Sequence, residues 1–154
     1  MHEVFAFFSD AKNLQVLTPP FLNFKIETTL PIEMRPGATI DYTIRLFGVP
    51  MRWRTLIETF DPGKGFVDTQ IRGPYKLWRH EHRFVEEKGG TRMIDTVDYE
   101  VPFGPIGALA KGIFVDRMLR KIFDFRRDAV QSVLGATSSQ PVTRANSERV
   151  ITTS

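Results

Sequence analysis

The stretch that decides the fold is residues 66–102, FVDTQIRGPYKLWRHEHRFVEEKGGTRMIDTVDYEVP. Phe66, Asp68 and Gln70 share one parity, as do Trp78, His80, His82 and Phe84, and again Met93, Asp95, Val97, Tyr99 and Val101. Side chains on a strand alternate faces with a period of two, so each set lies on one side of its strand. Gly73-Pro74 and Lys88-Gly89-Gly90 punctuate the run, which therefore reads as three successive antiparallel strands. A hairpin with an even loop brings even-numbered residues of one strand and odd-numbered residues of the next onto a common face. That face interleaves aromatic rings with two imidazoles, two carboxylates and an amide. An ordinary core would hold aliphatic residues there, and an ordinary solvent face would not hold Trp, Phe and Tyr. Apolar walls with a few polar groups are what a ligand cavity requires.

The loop after Glu86 sets which of these groups meet. A turn over Glu87-Lys88-Gly89-Gly90 puts His82 opposite Asp95, His80 opposite Val97 and Trp78 opposite Tyr99. A two-residue Gly89-Gly90 loop would put Phe84 opposite Asp95 instead. The first register is chemically better, because a buried carboxylate without a partner is costly. It predicts a His82–Asp95 hydrogen bond.

Working outward, alternation predicts further strands at 23–30, 39–47 and 51–60. Ile40, Tyr42, Ile44 and Leu46 share one face of the second, and Trp53, Thr55 and Ile57 face inward on the third. A short apolar helix is expected at 4–8, and Ser9-Asp10 caps a second one that ends before Thr18-Pro19-Pro20. After Pro102 the apolar spacing turns helical. Residues 106–134 form one long amphipathic helix of about 40 Å, stopped by Gly135. Residues 135–154 are rich in Ser and Thr, and a disordered tail is expected there. The fold class is α+β: residues 1–134 make one domain, in which a curved antiparallel sheet of six strands is covered by the C-terminal helix.

Composition narrows the function classes. The chain has 154 residues, of which 42% are hydrophobic and 25% charged, the balance of a globular domain. Thirteen Phe residues supply apolar area without a polar handle. The net charge of +3 is dispersed, and no nucleic-acid motif stands out, so no nucleic-acid partner is expected. The absence of cysteine excludes disulfides and thiol chemistry. No run of about 18 uncharged apolar residues is present and the start does not resemble a signal peptide, so no stable membrane insertion and a cytoplasmic location are expected.

The motif residues resemble a known family. The string Phe66-x-Asp68-x-Gln70-x-x-Gly73-Pro74-x-x-x-Trp78-x-His80-x-His82-x-Phe84, followed by Gly90-Thr91 and Asp95-x-Val97-x-Tyr99-x-x-Pro102-x-Gly104, is similar to the bacterial SRPBCC (START-like, polyketide cyclase/dehydrase-type) ligand-binding proteins. Glu3 to Asp10 resembles their first helix. The resemblance covers roughly 3–134 and implies a helix-grip fold, with a seven-stranded sheet wrapped around the long helix and a hydrophobic cavity between them. In such proteins a strand precedes the first helix. Here Met1 stands where that strand would already have ended, so a first strand upstream of Met1 is expected to be missing.

The candidate ligand-binding residues are Trp53, Asp68, Gln70, Trp78, His80 and His82, with Phe84, Asp95, Val97 and Tyr99 on the same face. Ile113, Met118 and Phe123 are candidates for a roof on the helix. His80, His82 and Asp95 are the candidates for catalysis. Three readings of this polar set stand open: a satisfied buried network that shapes the sheet, groups that orient a ligand, or acid–base catalysis. The H-x-H pair could bind zinc with Asp68 or Asp95 as third ligand, but neither a metal nor a cofactor is expected. Lys111, Arg117, Arg120, Lys121, Arg126 and Arg127 read as a solvated helix face. The functional expectation is binding of a small hydrophobic molecule (lipid, isoprenoid or polyketide-like). The alternative is a metal-independent cyclase or dehydratase using the His/Asp cluster, for which no Cys or strand Ser offers a nucleophile. A third reading is an interaction module whose open sheet edge pairs with a partner or with a second copy of the chain as a homodimer.

Overall fold

In the computed structural model, residues 1–46, 48–102, 114–135 and 148–153 are described. Helix α1 spans His2–Phe8 and helix α2 spans Asp116–Leu134. The strands are β1 (Lys25–Ile26), β2 (Thr39–Leu46), β3 (Val49–Asp61), β4 (Gly65–Arg72), β5 (Leu77–Glu87), β6 (Gly90–Glu100) and β7 (Glu148–Thr153). All seven form one antiparallel sheet in sequential order.

The six expected strands are present, with two differences. β1 is only two residues long, because Thr28 leaves the ladder. Its hydroxyl accepts from the Asp41 backbone N–H at 2.8 Å, and the Glu27 and Thr28 amides both donate to the Asp41 carbonyl. The second difference is β7, which comes from the segment expected to be a disordered tail and pairs with β6 from Thr91↔Thr153 to Thr96↔Glu148. Its Val150-Ile151-Thr152-Thr153 run is β-branched, the composition that suits a pleated surface, and β6 offers it an open edge.

Register follows the turn chemistry. Lys88 and Gly89 form the β5–β6 loop, with Glu87 paired to Gly90. Gly89 supplies the positive φ of 94° that such a turn needs. His82 therefore stands opposite Asp95, His80 opposite Val97 and Trp78 opposite Tyr99. Two irregularities bend the sheet. Ile71 is extra on β4 between the Arg54↔Arg72 and Thr55↔Gln70 pairs, and Glu58 is extra on β3 between Ile57↔Asp68 and Thr59↔Val67. Bulges bend a strand and increase its twist, and these two flank the position of Asp68.

The concave face is closed from two sides. Phe5 and Phe8 of α1 pack with Leu17, Phe66, Phe84, Met93 and Val130 in one cluster. Phe5 meets Phe84 edge-on at 5.3 Å, a favoured aromatic geometry. The second expected helix is a single 3-10 turn, Ala11–Gln15, capped by the Asp10 carboxylate, which accepts from the Lys12 N–H at 3.1 Å. From α2, Met118, Leu119, Phe123 and Val130 are buried, and Gly135 ends the helix in the left-handed conformation at φ 65°. The Tyr99 hydroxyl donates to Asp116 at the start of α2, which ties the last motif strand to the helix. The part of the expected helix at 106–113 lies outside the described residues.

Gly65 opens β4 where the chain passes very close to β5. A Cβ there would run into the backbone carbonyl of His82, which belongs to a strand and cannot swing away. Gly65→Ala is therefore expected to destabilise the protein by about 1–3 kcal/mol, read from urea unfolding. An unchanged unfolding midpoint would contradict the close approach.

Candidate functional site

The concave face, the N-terminal third and α2 border a partly open cavity of about 170 Å³. Its wall is assembled from every layer of the fold. β2 contributes Ile40, Tyr42, Ile44 and Leu46, and β3 contributes Trp53, Thr55 and Ile57. β4 and β5 contribute Phe66, Asp68, Trp78, His80 and His82, and the turn between them adds Tyr75. Phe8, Ala11, Leu14, Thr18, Leu22, Phe24 and Met34 line it from the N-terminal third, and Met118, Leu119, Ile122 and Arg126 from α2. Each strand meets the cavity with alternate residues, as the pleat requires.

The polar groups cluster on β4, β5 and β6. His80 Nε2 donates to Asp95 Oδ1 at 3.1 Å, and His82 Nε2 donates to Asp68 Oδ2 at 2.8 Å. The other ring nitrogens close the square: His82 Nδ1 is 2.8 Å from Asp95 Oδ1, and His80 Nδ1 is 3.8 Å from Asp68 Oδ2. The expected His82–Asp95 contact is present at 2.8 Å and helps to raise the imidazole, although the Nδ1–H is poorly aligned on the carboxylate. The ring's directed hydrogen bond goes to Asp68. Facing strands bring the two side chains together, while the tilt of the imidazole decides where its N–H points. Phe66 stacks on the His82 ring at 4.2 Å, the two imidazoles lie 3.8 Å apart, and Phe123 meets His80 edge-on at 5.9 Å. The rings are therefore held by packing as well as by charge.

Burial and charge compete at each group. Burial opposes the charge on Asp95 more than any other single influence, yet Arg126 and the two imidazoles outweigh it and hold the carboxyl well below its usual range. Asp68 follows the same pattern to a smaller extent, with the His82 hydrogen bond the main counterweight. Burial is also the largest influence on both imidazoles. It pushes His80 down, helped by the neighbouring His82. At His82 it is overcome by Asp95 and Asp68, and the ring is raised. Burial lifts the Tyr75 phenol to about 12.

The sequence-derived residues separate into two groups. Trp53, Asp68, Trp78, His80 and His82 line the cavity, as does Met118. Asp95 stands behind the imidazoles with no exposed surface. Gln70, Phe84, Val97, Tyr99 and Phe123 are not in the wall. Gln70 clamps the following turn, donating to the Tyr75 carbonyl at 2.7 Å and accepting from its N–H at 3.3 Å. A Cβ at Gly73 would collide with that clamp. Phe84 joins the aromatic cluster under α1, Val97 is buried, and Tyr99 holds Asp116. Ile113 lies outside the described residues.

Much of the wall escapes the sequence reading, including Leu14, Leu22, Phe24 and Met34 from the N-terminal third and two polar residues, Tyr75 and Arg126. Tyr75 sits in a turn, where alternation says nothing about facing. Arg126, expected on the solvated helix face, lies in the cavity wall with its Nε buried and unpartnered among the described residues. A signal for it exists: Met118, Ile122, Arg126 and Val130 recur every four residues, one stripe of a helix. The Arg126 guanidinium also stands 5.6 Å over the Phe8 ring. For metals, Asp68, His80 and His82 each offer one ligand atom, and all three atoms lie within 4.8 Å of one another.

Removing one member of a buried charge network strands its partners. Asp95→Ala leaves both imidazoles and Arg126 without their common carboxylate, and is expected to destabilise by about 3–5 kcal/mol. Asp68→Asn, at a position 17% exposed, is expected to lose less. Urea unfolding of the two variants checks the order, and equal losses would contradict it.

With this geometry in place, comparisons with known proteins are informative. No curated protein matches the chain. Solved structures share the fold, among them the two that follow. The crystal structure of TTHA0849 from Thermus thermophilus has 23% identity and a TM-score of 0.62, covering 89% of this chain and 91% of its own. The crystal structure of Ara h 8.0201 has 16% identity and a TM-score of 0.54, covering 83% of this chain and 89% of its own. Both likenesses bear out the helix-grip arrangement of curved sheet, long C-terminal helix and short N-terminal helices. A family model described as polyketide cyclase / dehydrase and lipid transport matches residues 1–126. Spanning most of the sequence, that match shows that the chain belongs to the polyketide cyclase/dehydrase and lipid transport family.

Proposed function

We propose that the cavity binds a small, largely apolar molecule that carries one oxygen acceptor. The observation that carries this reading is a largely apolar hollow whose wall contains two buried N–H donors, Trp53 Nε1 and Arg126 Nε, without partners among the described residues. A buried donor left unpaired costs about 1–3 kcal/mol, a penalty that a ligand carbonyl, carboxylate or hydroxyl oxygen removes. Asp68, His80 and His82 form the rest of the polar edge. The aliphatic and aromatic wall supplies affinity by burial, at roughly 25 cal/mol per Å² of apolar surface.

Size narrows the ligand. A dry cavity of about 150 Å³ holds one benzene ring, so about 170 Å³ suits a single ring with a short substituent. A long acyl chain needs α2 or the N-terminal wall to move outward. The family description, with its cyclase and lipid-transport members, is consistent with either a bound lipophile or a cyclising substrate. A cyclase- or dehydratase-type reaction is the second reading. It is favoured by the ionised Asp68, which accepts from His82 at the cavity edge, an arrangement suited to proton transfer. Among the described residues, no helix is long and apolar enough to cross a membrane.

Both tryptophans of the chain, Trp53 and Trp78, lie in the wall in an edge-to-face pair 5.3 Å apart. All tryptophan emission therefore reports on the cavity. Titration with acetophenone is expected to quench that emission saturably, and to do so at lower concentration than ethylbenzene, which has the same ring but no oxygen. Ile44→Phe, which fills the hollow, is expected to weaken binding about tenfold, or about 1.4 kcal/mol. Non-saturable quenching that is identical for both compounds and both proteins would refute the binding reading.

A further inference from the structure

We infer that Asp68, His80 and His82 form a binding site for one divalent transition-metal ion, with Asp95 as the carboxylate behind it that orients both imidazoles. The sequence offers only an H-x-H pair and a choice of acids, and by itself leads to no expectation of a metal. The structure divides the two acids by position. Asp68 is on the cavity side, at 2.8 Å from His82 Nε2 and 3.8 Å from His80 Nδ1. Asp95 is on the far side, at 3.1 Å from His80 Nε2 and 2.8 Å from His82 Nδ1. One nitrogen of each ring therefore faces Asp68, and the other faces Asp95. Metal-binding histidines are held in this way: one nitrogen ligates, and the other donates to a carboxylate that fixes tautomer and tilt.

Spacing agrees. An ion about 2.1 Å from each donor separates neighbouring donors by about 3.0–3.4 Å, and the two Asp68 distances of 2.8 and 3.8 Å bracket that range. All three ligand atoms fall within 4.8 Å of one another. Without an ion the square is imperfect. His80 uses its Nε2 proton on Asp95, so the neutral ring turns the Nδ1 lone pair towards the Asp68 carboxylate, acceptor against acceptor. His82 gives its directed hydrogen bond to Asp68 and leaves Nδ1 unsatisfied, although Asp95 Oδ1 is only 2.8 Å away. A cation between Asp68 Oδ2, His80 Nδ1 and His82 Nε2 removes both defects. It satisfies the His80 lone pair and frees His82 to carry its proton on Nδ1, facing Asp95.

Two imidazoles and one carboxylate suit zinc, iron(II), cobalt(II) and manganese(II) rather than magnesium or calcium, which take oxygen ligands. Three protein ligands leave further coordination positions open. All three residues belong to the cavity wall, so those positions open towards the hollow.

Cobalt(II) is the direct probe, because its visible absorption reports imidazole and carboxylate ligation. Chelator-treated, dialysed full-length protein is expected to bind one cobalt(II) per chain with a d–d spectrum, and zinc is expected to displace it. A hundredfold excess of magnesium is not. His80→Ala and Asp68→Asn are each expected to abolish the spectrum. Asp95→Asn is expected to lower affinity about 10–100-fold while leaving stoichiometry unchanged. His2, the third histidine of the chain, is exposed and serves as a control: His2→Ala is expected to change nothing. Absence of one-to-one binding by the wild-type protein, or binding lost with His2 and retained in His80→Ala, overturns the inference whether or not any variant folds poorly. Acetophenone quenching measured in the presence of chelator remains a separate readout of the organic-ligand reading.

Discussion

A carboxylate with no exposed surface, Asp95, stands on β6 between sheet and helix, and the structure is arranged around keeping it charged. Asp95 can remain ionised there only if cations or donors surround it. They come from two different parts of the chain, the imidazoles of His80 and His82 on β5 and the guanidinium of Arg126 on α2. The strand pairing is set by a two-residue turn at Lys88 and Gly89. A one-residue slip would turn the imidazoles to the opposite face and leave the carboxylate alone in an apolar layer. The helix is fixed on the same account, because Arg126 reaches the site only when Met118, Ile122 and Val130 of the same stripe face the sheet.

This requirement also explains why a cavity stands beside the network. Close packing of α2 onto β4 and β5 would need small apolar residues where Asp68, His80 and His82 stand. Aromatic groups line the hollow on both sides, Trp53, Tyr75 and Trp78 in one cluster and Phe8 and Phe66 in another part of the wall. The bulges at Ile71 and Glu58 bend β4 and β3 on either side of Asp68. Protein interiors normally fill to crystal-like density, so a largely apolar hollow with two donors unpaired among the described residues is the departure on which the proposed binding reading rests. Chemistry and packing thus point at one location from different directions.

Much of this was legible beforehand because strands carry a simple code. The period of two in Trp78, His80, His82 and Phe84, and in Met93, Asp95, Val97 and Tyr99, assigned one face. Two loop lengths then remained for the β5–β6 hairpin, and the cost of a buried carboxylate without a partner chose the register that the structure has. What alternation could not do was separate wall from support. Val97, Tyr99 and Phe84 share the inward face with the imidazoles, but Phe84 lies under α1, Tyr99 reaches Asp116 and Val97 is buried away from the hollow. Gln70, whose amide suits either a ligand carbonyl or structural bridging, bridges the turn at Tyr75, where Gly73 approaches it closely. Short β-branched segments such as residues 150–153 pair or stay free according to whether an edge is available, which no local pattern records.

The sequence by itself determined the strand register, the inward face and the meeting of imidazole with carboxylate, because pleat parity and turn length are local and leave few alternatives. Tertiary structure alone decided which inward groups border open space, which nitrogen of each ring meets which acid, and that Arg126 belongs to the site. Those outcomes depend on where a helix distant in sequence comes to rest and on how rings tilt once packed, and neither is encoded in the spacing of residues along one strand.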